Sequence, residues 1–208
     1  MKLQKTDTKM TENFKKYETI GACGIDCGLC PRFYTKGSSV CPGCGGLNFR
    51  EKHPSCGVLT CCLIKNGFET CADCKDFPCS RLKTERAGAD SFVTHKKIFS
   101  NIENIKTDGI EHFLEGQKIR IDILNELLTD YDDGRAKSFF CQSCALLPTD
   151  KLQEILNEIK KAIETVELKE KSKLARRYIT EMAETLHIDL RRGESATRTI
   201  NVTLLKTL

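Results

Sequence analysis

The chain has 208 residues, 39% hydrophobic and 30% charged, with 33 Lys+Arg against 29 Asp+Glu and no tryptophan. This balance is that of a globular chain with enough apolar residues for one ordinary domain or two small units. No apolar run approaches the roughly 18–20 residues of a membrane span, and a net charge of +4 is too small to argue alone for nucleic acid.

Residues 1–19 mix Lys, Thr, Glu and Asn with few apolar anchors and read as a flexible N-terminal segment. They are too polar for a secretory signal, so a cytoplasmic setting is expected. In a reducing compartment an odd cysteine count and repeated C-x2-C pairs favour metal over disulfides.

Residues 20–83 form the expected metal-binding unit. Eleven of the thirteen cysteines fall here: Cys23, Cys27, Cys30, Cys41, Cys44, Cys56, Cys61, Cys62, Cys71, Cys74 and Cys79. A C-x2-C step in a tight turn aims two thiolates at one point, which a tetrahedral ion requires. Gly28, Gly43, Gly45 and Gly46 permit the backbone angles through which amides also reach sulfur. The stretch has little apolar periodicity, so turns and knuckles ordered by bound metal are predicted.

The cleanest ligand set is Cys27-x2-Cys30-x10-Cys41-x2-Cys44, close to zinc-ribbon spacing. A second site would draw on Cys56, Cys61 or Cys62, Cys71, Cys74 and Cys79, and about two zinc ions are expected. Adjacent residues of extended chain point to opposite faces, so Cys61 and Cys62 should not both hold one ion. His53-x2-Cys56 offers a competing pair, although a histidine between Lys52 and Pro54 reads more simply as a solvated loop residue. The alternative metal is iron. Cys23-x3-Cys27-x2-Cys30 has the spacing that holds a four-iron cluster in radical S-adenosylmethionine enzymes, although the strand–helix repeat of their barrel is missing.

Residues 84–192 read as helical. Phe92, His95, Ile98, Phe99, Ile102 and Ile105 fit one helix face, closed by Asp108-Gly109. A longer helix runs through Ile110, Phe113, Leu114, Ile121, Leu124, Leu128 and Tyr131 to Asp132-Asp133-Gly134. Pro148-Thr149-Asp150 starts a third, with Leu152, Ile155, Leu156, Ile159, Ile163 and Val166 at steps of three and four. A last helix is predicted over 171–187, around Leu174, Tyr178, Met182, Ala183 and Leu186, and the set should form a small bundle. The tail, 193–208, alternates through Ile200, Val202 and Leu204 as a short strand or a loose terminus. Between the helices, Cys141-x2-Cys144 lies among Phe139, Phe140, Leu146 and Leu147, where packing is the simplest reading.

Charge tempers any phosphate-binding role. Residues 1–90 carry 14 Lys+Arg against 10 Asp+Glu, and 91–208 carry 19 against 19. Each tetrathiolate zinc site adds a net charge of about −2, so two would bring the first part close to neutral. A nucleic-acid partner is therefore weakly supported.

The runs G-A-C-G-I-D-C-G-L-C-P-R-F, C-P-G-C-G and C-A-D-C-K-D-F-P-C-S-R-L resemble a functionally uncharacterised family of cysteine-rich bacterial and archaeal proteins. N-I-E-N-I-K-T-D-G-I-E-H-F-L, Y-D-D-G-R-A-K-S-F-F-C and L-L-P-T-D-K-L extend the likeness to residues 20–155. The resemblance implies a metal-binding unit, presumed to hold zinc, with no established reaction. The expectation is a small irregular knuckle-like unit on a helical part, a structural or interaction module whose partner is a protein. A thiol or iron–sulfur redox protein is the alternative, and no general base can be named for an enzyme.

Overall fold

The computed structural model describes residues 15–52, 56–86, 90, 92–162 and 167–192. No strand lies among them; the regular elements of the described residues are all helical, joined by turns and loops. The tail expected as a strand, His53, Ile163 and Val166 fall outside the described residues.

The cysteine-rich stretch is made of short turns and small helices. Single 3-10 turns occur at Cys27–Leu29, Gly37–Ser39 and Cys71–Asp73. Helix α1 is Phe49–Lys52; α2, Gly57–Leu59, runs on as a π-helical turn over Thr60–Lys65; α3 is Ser80–Arg86. Contrary to the sequence expectation, this stretch has a substantial apolar core of its own. Ile20, Ala22, Phe49, Val58, Leu59, Leu63 and Leu82 are buried together, and Ile102 and Ile105 of the next helix complete the cluster. Lys15 is docked as well: its Nζ donates to Glu69 O at 2.6 Å and pairs with Glu69 Oε1 at 2.9 Å. Tyr17 Oη donates to Glu111 at 2.7 Å, so residues 15–19 lie against the body rather than trailing from it.

Helix α4, Ile98–Asp108, begins six residues later than the sequence periodicity suggests. The Asp90 carboxylate accepts the His95 amide at 2.6 Å, holding the chain in a turn before the helix. Gly109, at φ +90°, ends α4 and starts α5, Ile110–Asp130. The Asp132 carboxylate then accepts the amides of Gly134 at 3.0 Å and Ala136 at 2.9 Å. That capping turn leads into α6, Lys137–Leu146, which periodicity did not reveal. Helices α7, Thr149–Ala162, and α8, Leu168–Thr185, follow the expected pattern.

Helix α5 is the axis, touching α4, α6 and α7, while α8 packs on α6 and α7. Ile123, Leu124 and Leu127 meet Phe140, Leu147, Leu152, Ile155 and Ile159 in this second core. The innermost row of α8 is Ser172, Ala175, Ile179 and Ala183, three of them small, which lets the helix approach closely; Leu174, Tyr178, Met182 and Leu186 flank that row. Leu29, from the first cysteine turn, is fully buried in the helical core, and the Cys27–Leu29 turn touches both α5 and α6. The cysteine loops therefore sit on a rigid helical seat.

Candidate metal centre

Two knuckles build the site. The first begins at Gly24, φ +86°, where a Cβ would lie 2.6 Å from Ile98 O. The chain then turns through Cys27–Leu29, with the Cys30 amide on Cys27 O at 3.1 Å. After a loop, the Cys41 amide returns to Arg32 O at 3.0 Å. The second knuckle, Cys41 to Cys44, passes through Gly43 at φ +83°, where a Cβ would meet Glu18 O at 2.2 Å.

These turns bring six thiols to one place. Cys23, Cys27, Cys30, Cys41, Cys44 and Cys56 line a single cavity of about 110 Å³. The expected quartet is thus on one wall, joined by Cys23 and by Cys56, which spacing had grouped with the later cysteines. Ile25, Phe33, Phe49 and Val93 supply apolar walls. The Arg32 guanidinium stacks 4.6 Å from the Phe92 ring centroid, and both residues line the cavity.

Backbone amides are aimed at the sulfurs. The Cys44 N–H donates to Cys27 Sγ at 3.4 Å. The amides of Arg32 and Phe33 hydrogen-bond to the Cys30 thiol, and that of Ala22 to the Cys44 thiol. Such donors favour thiolate over thiol, and burial opposes them. Burial pushes Cys27 well above the ordinary thiol range, with Cys44 and Cys23 adding to the shift. It likewise pushes Cys44 up to about 12 and raises Cys30. Left to themselves these thiols keep their protons, so an occupant that binds sulfur must displace them. Six sulfurs with no carboxylate in the wall form a donor set for soft or borderline metals rather than for calcium or magnesium.

The remaining candidates are placed differently. Cys62 and Cys71 are buried and hydrogen-bonded to each other, which together with burial raises Cys62 strongly. Cys61 Sγ lies 3.8 Å from Asn66 Nδ2. Cys74 and Cys79 are half-buried, and neither lines the six-thiol cavity. None of the thirteen cysteines forms a disulfide. Cys141 and Cys144 are 1% and 0% exposed in the helical core, and burial raises both thiols, Cys144 to about 12. Among the described residues, no group of three or more His, Cys, Asp or Glu side chains is arranged to hold a metal ion as it stands.

Sequence reasoning missed the contributions from outside the cysteine motifs. His95, assigned to a helix face, lines the thiol cavity, as does Phe92. Their order along the chain gave no signal, because the turn that folds them back depends on the Asp90 hydrogen bonds. Asp26, inside the first motif, was also passed over. Its buried carboxylate accepts Gln117 Nε2 at 2.9 Å and Asn101 Nδ2 at 2.8 Å. Asn101 Nδ2 further reaches Gly24 O at 2.9 Å, and Gln117 Nε2 reaches Thr19 O at 3.0 Å. One carboxylate thus ties the first knuckle to α4 and α5. Burial raises its pKa, while the amides of Gln117 and Asn101 pull it back.

Residues 19–84 match the model of a family described as "Protein of unknown function (DUF3795)", an uncharacterised domain to which the cysteine-rich part of this chain is similar. No curated protein and no solved structure matches the chain.

Proposed function

We propose that the chain is a metal-binding protein whose centre is the six-thiol cavity, and that the centre is a multinuclear cluster of the iron–sulfur type. One observation carries this reading: six cysteines surround a single cavity of about 110 Å³. A lone zinc ion holds its sulfurs at about 2.3 Å, which would draw four of them together and leave no such space. A cluster instead fills the middle of a thiol-lined cavity, with its ligands spread around it. When bound, it would supply one-electron chemistry at a potential set by sulfur hydrogen bonds and solvent access. The chain's own part is then clear: the amides of Ala22, Arg32, Phe33 and Cys44 stabilise negative charge on sulfur, and Phe33, Phe49 and Val93 keep water out. The role that follows is an electron-transfer accessory working with a protein partner.

The second reading, a structural zinc site in an interaction module, draws support from the same wall. Cys27, Cys30, Cys41 and Cys44 have zinc-knuckle spacing, and the Cys44 amide already bonds Cys27 Sγ at 3.4 Å. A further ion would then have to come from Cys61 or Cys62, Cys71, Cys74 and Cys79. A nucleic-acid role has only the small net charge in its favour.

Anaerobic purification followed by metal and sulfide analysis separates the two. Iron with acid-labile sulfide, and a broad visible absorbance that bleaches on reduction, is the expected result. Stoichiometric zinc with no visible absorbance overturns the cluster and leaves the zinc reading.

A further inference from the structure

A second cavity lies on the other side of the first cysteine turn. It is an open groove of about 300 Å³ between α4 and α5, with Asp26 in its wall. From α4 it takes Ser100, Asn101, Asn104 and Asp108, preceded by Lys97, and from α5 it takes Gly116, Gln117 and Arg120. Spacings of three and four place each set on one helix face. The two helices, joined by a single residue, pack Ile102 and Ile105 with Phe113 and Leu114 on their apolar side; apart from Phe113, the rows that border the groove are polar.

Three observations point to an occupant. Arg120 is half-buried, and its Nη1 donates to Cys144 O at 2.7 Å and Leu147 O at 2.6 Å. It makes no direct ion pair among the described residues; the Asp26 carboxylate in the same groove wall attracts it through space while accepting from the amides of Gln117 and Asn101. A half-buried guanidinium with no direct ion pair, facing the groove beside Lys97, is an arrangement that a bound anion would complete. Lys97, at the same groove, also has no ion-pair partner among the described residues. Second, Gln117 Oε1 is buried in the groove wall and accepts no hydrogen bond, so the site lacks a donor that a hydroxyl of a hydroxy acid or the P–OH of hydrogen phosphate would supply. Third, Gly116 stands in the interior of α5, where glycine costs about 1 kcal/mol relative to alanine. A Cβ there would meet nothing within 4 Å, so packing does not require the glycine. It keeps the groove open.

We propose that this groove binds a small molecule bearing an oxyanion, a carboxylate or a phosphate, with Arg120 and Lys97 as the cationic partners and Gly116 leaving the space it fills. The volume, at about 30 Å³ per water, corresponds to a metabolite-sized ligand rather than a single ion. The groove takes its α4 wall and Asp26 from the same part of the fold as the thiols, so binding is measured on the protein as purified, and metal content is determined alongside as a separate readout.

Calorimetric titration of the full-length protein as purified, with inorganic phosphate in one arm and citrate in the other, tests it. Saturable one-to-one binding in one arm is expected and identifies the anionic group. Lys97→Gln should weaken it about tenfold, the loss of one charge-assisted contact. Gly116→Leu should abolish it while leaving metal content unchanged and the melting temperature no lower. Absence of saturable binding in both arms, or binding that survives either substitution at full affinity, overturns the proposal.

Discussion

Gly43 and Gly37 both adopt positive φ, +83° and +74°, yet they should respond differently to the same substitution. A Cβ at Gly43 would strike the Glu18 carbonyl, whereas at Gly37 nothing lies within 4 Å. Gly43→Ala is therefore expected to cost about 3 kcal/mol, strain plus overpacking, and Gly37→Ala only about 1 kcal/mol. Urea unfolding of the two variants at matched metal content measures the difference, and equal losses contradict the close approach. Burial makes a comparable prediction for Cys141. With the side chain inside α6 and its thiol held protonated, iodoacetamide should label it in the native protein only as fast as the protein unfolds. Labelling of Cys141 ahead of global unfolding, followed by mass spectrometry, contradicts that packing. These glycine and cysteine roles were partly legible in the sequence. Gly43 and Gly45 do take the left-handed angles expected of them, while Gly28 and Gly46 do not and are needed for room.

Helices α5, α7 and α8 could be read from periodicity because each has one buried face and one wet face. Helix α6 could not. Every residue from Phe140 to Leu146 is buried, including Gln142, Ser143 and both cysteines, so there is no alternation to detect. The start of α4 was misjudged because Asp90 captures backbone that would otherwise extend the helix. Lys15 illustrates a tertiary contact with no local signature at all. Its stem packs beside Gly45 and its ammonium pairs with Glu69, fixing residues 15–17 across the turn before Cys71. Lys15→Ala should destabilise the protein by about 3 kcal/mol, since it strips the charge partner from a half-buried carboxylate. Lys15→Met should lose less, because the apolar stem remains. Denaturant midpoints of the pair decide the point, and equal losses would place the whole effect in the ion pair.

At the scale of the whole molecule the two cores are unequal partners. The helical core is built from α5 to α8, with Leu29 as the only fully buried contribution from the cysteine turns among the described residues. The other core mixes thiols with Phe49, Val58, Leu59, Leu63, Leu82 and α4, so its order should depend on what the thiols hold. With the proposed centre filled, removing its metal with a chelator under reducing conditions is expected to expose amides of residues 20–82 and of α4 to hydrogen exchange. Amides of α5–α8 should stay protected, and a uniform loss of protection across both cores contradicts this division. The thiols of the site were plain in the sequence, but their grouping was not, since Cys56 arrives from one segment and Phe92 and His95 from another. The short turn from Cys23 to Cys27 joins these scales. Cys23, Ile25 and Cys27 face the thiol cavity while Asp26 faces the groove, so the backbone there is a partition read in alternate letters. A point substitution on either side can spoil one compartment and spare the other. Inserting or deleting one residue before Asp26 would turn the carboxylate toward sulfur and a thiol toward the groove, so both compartments should fail together.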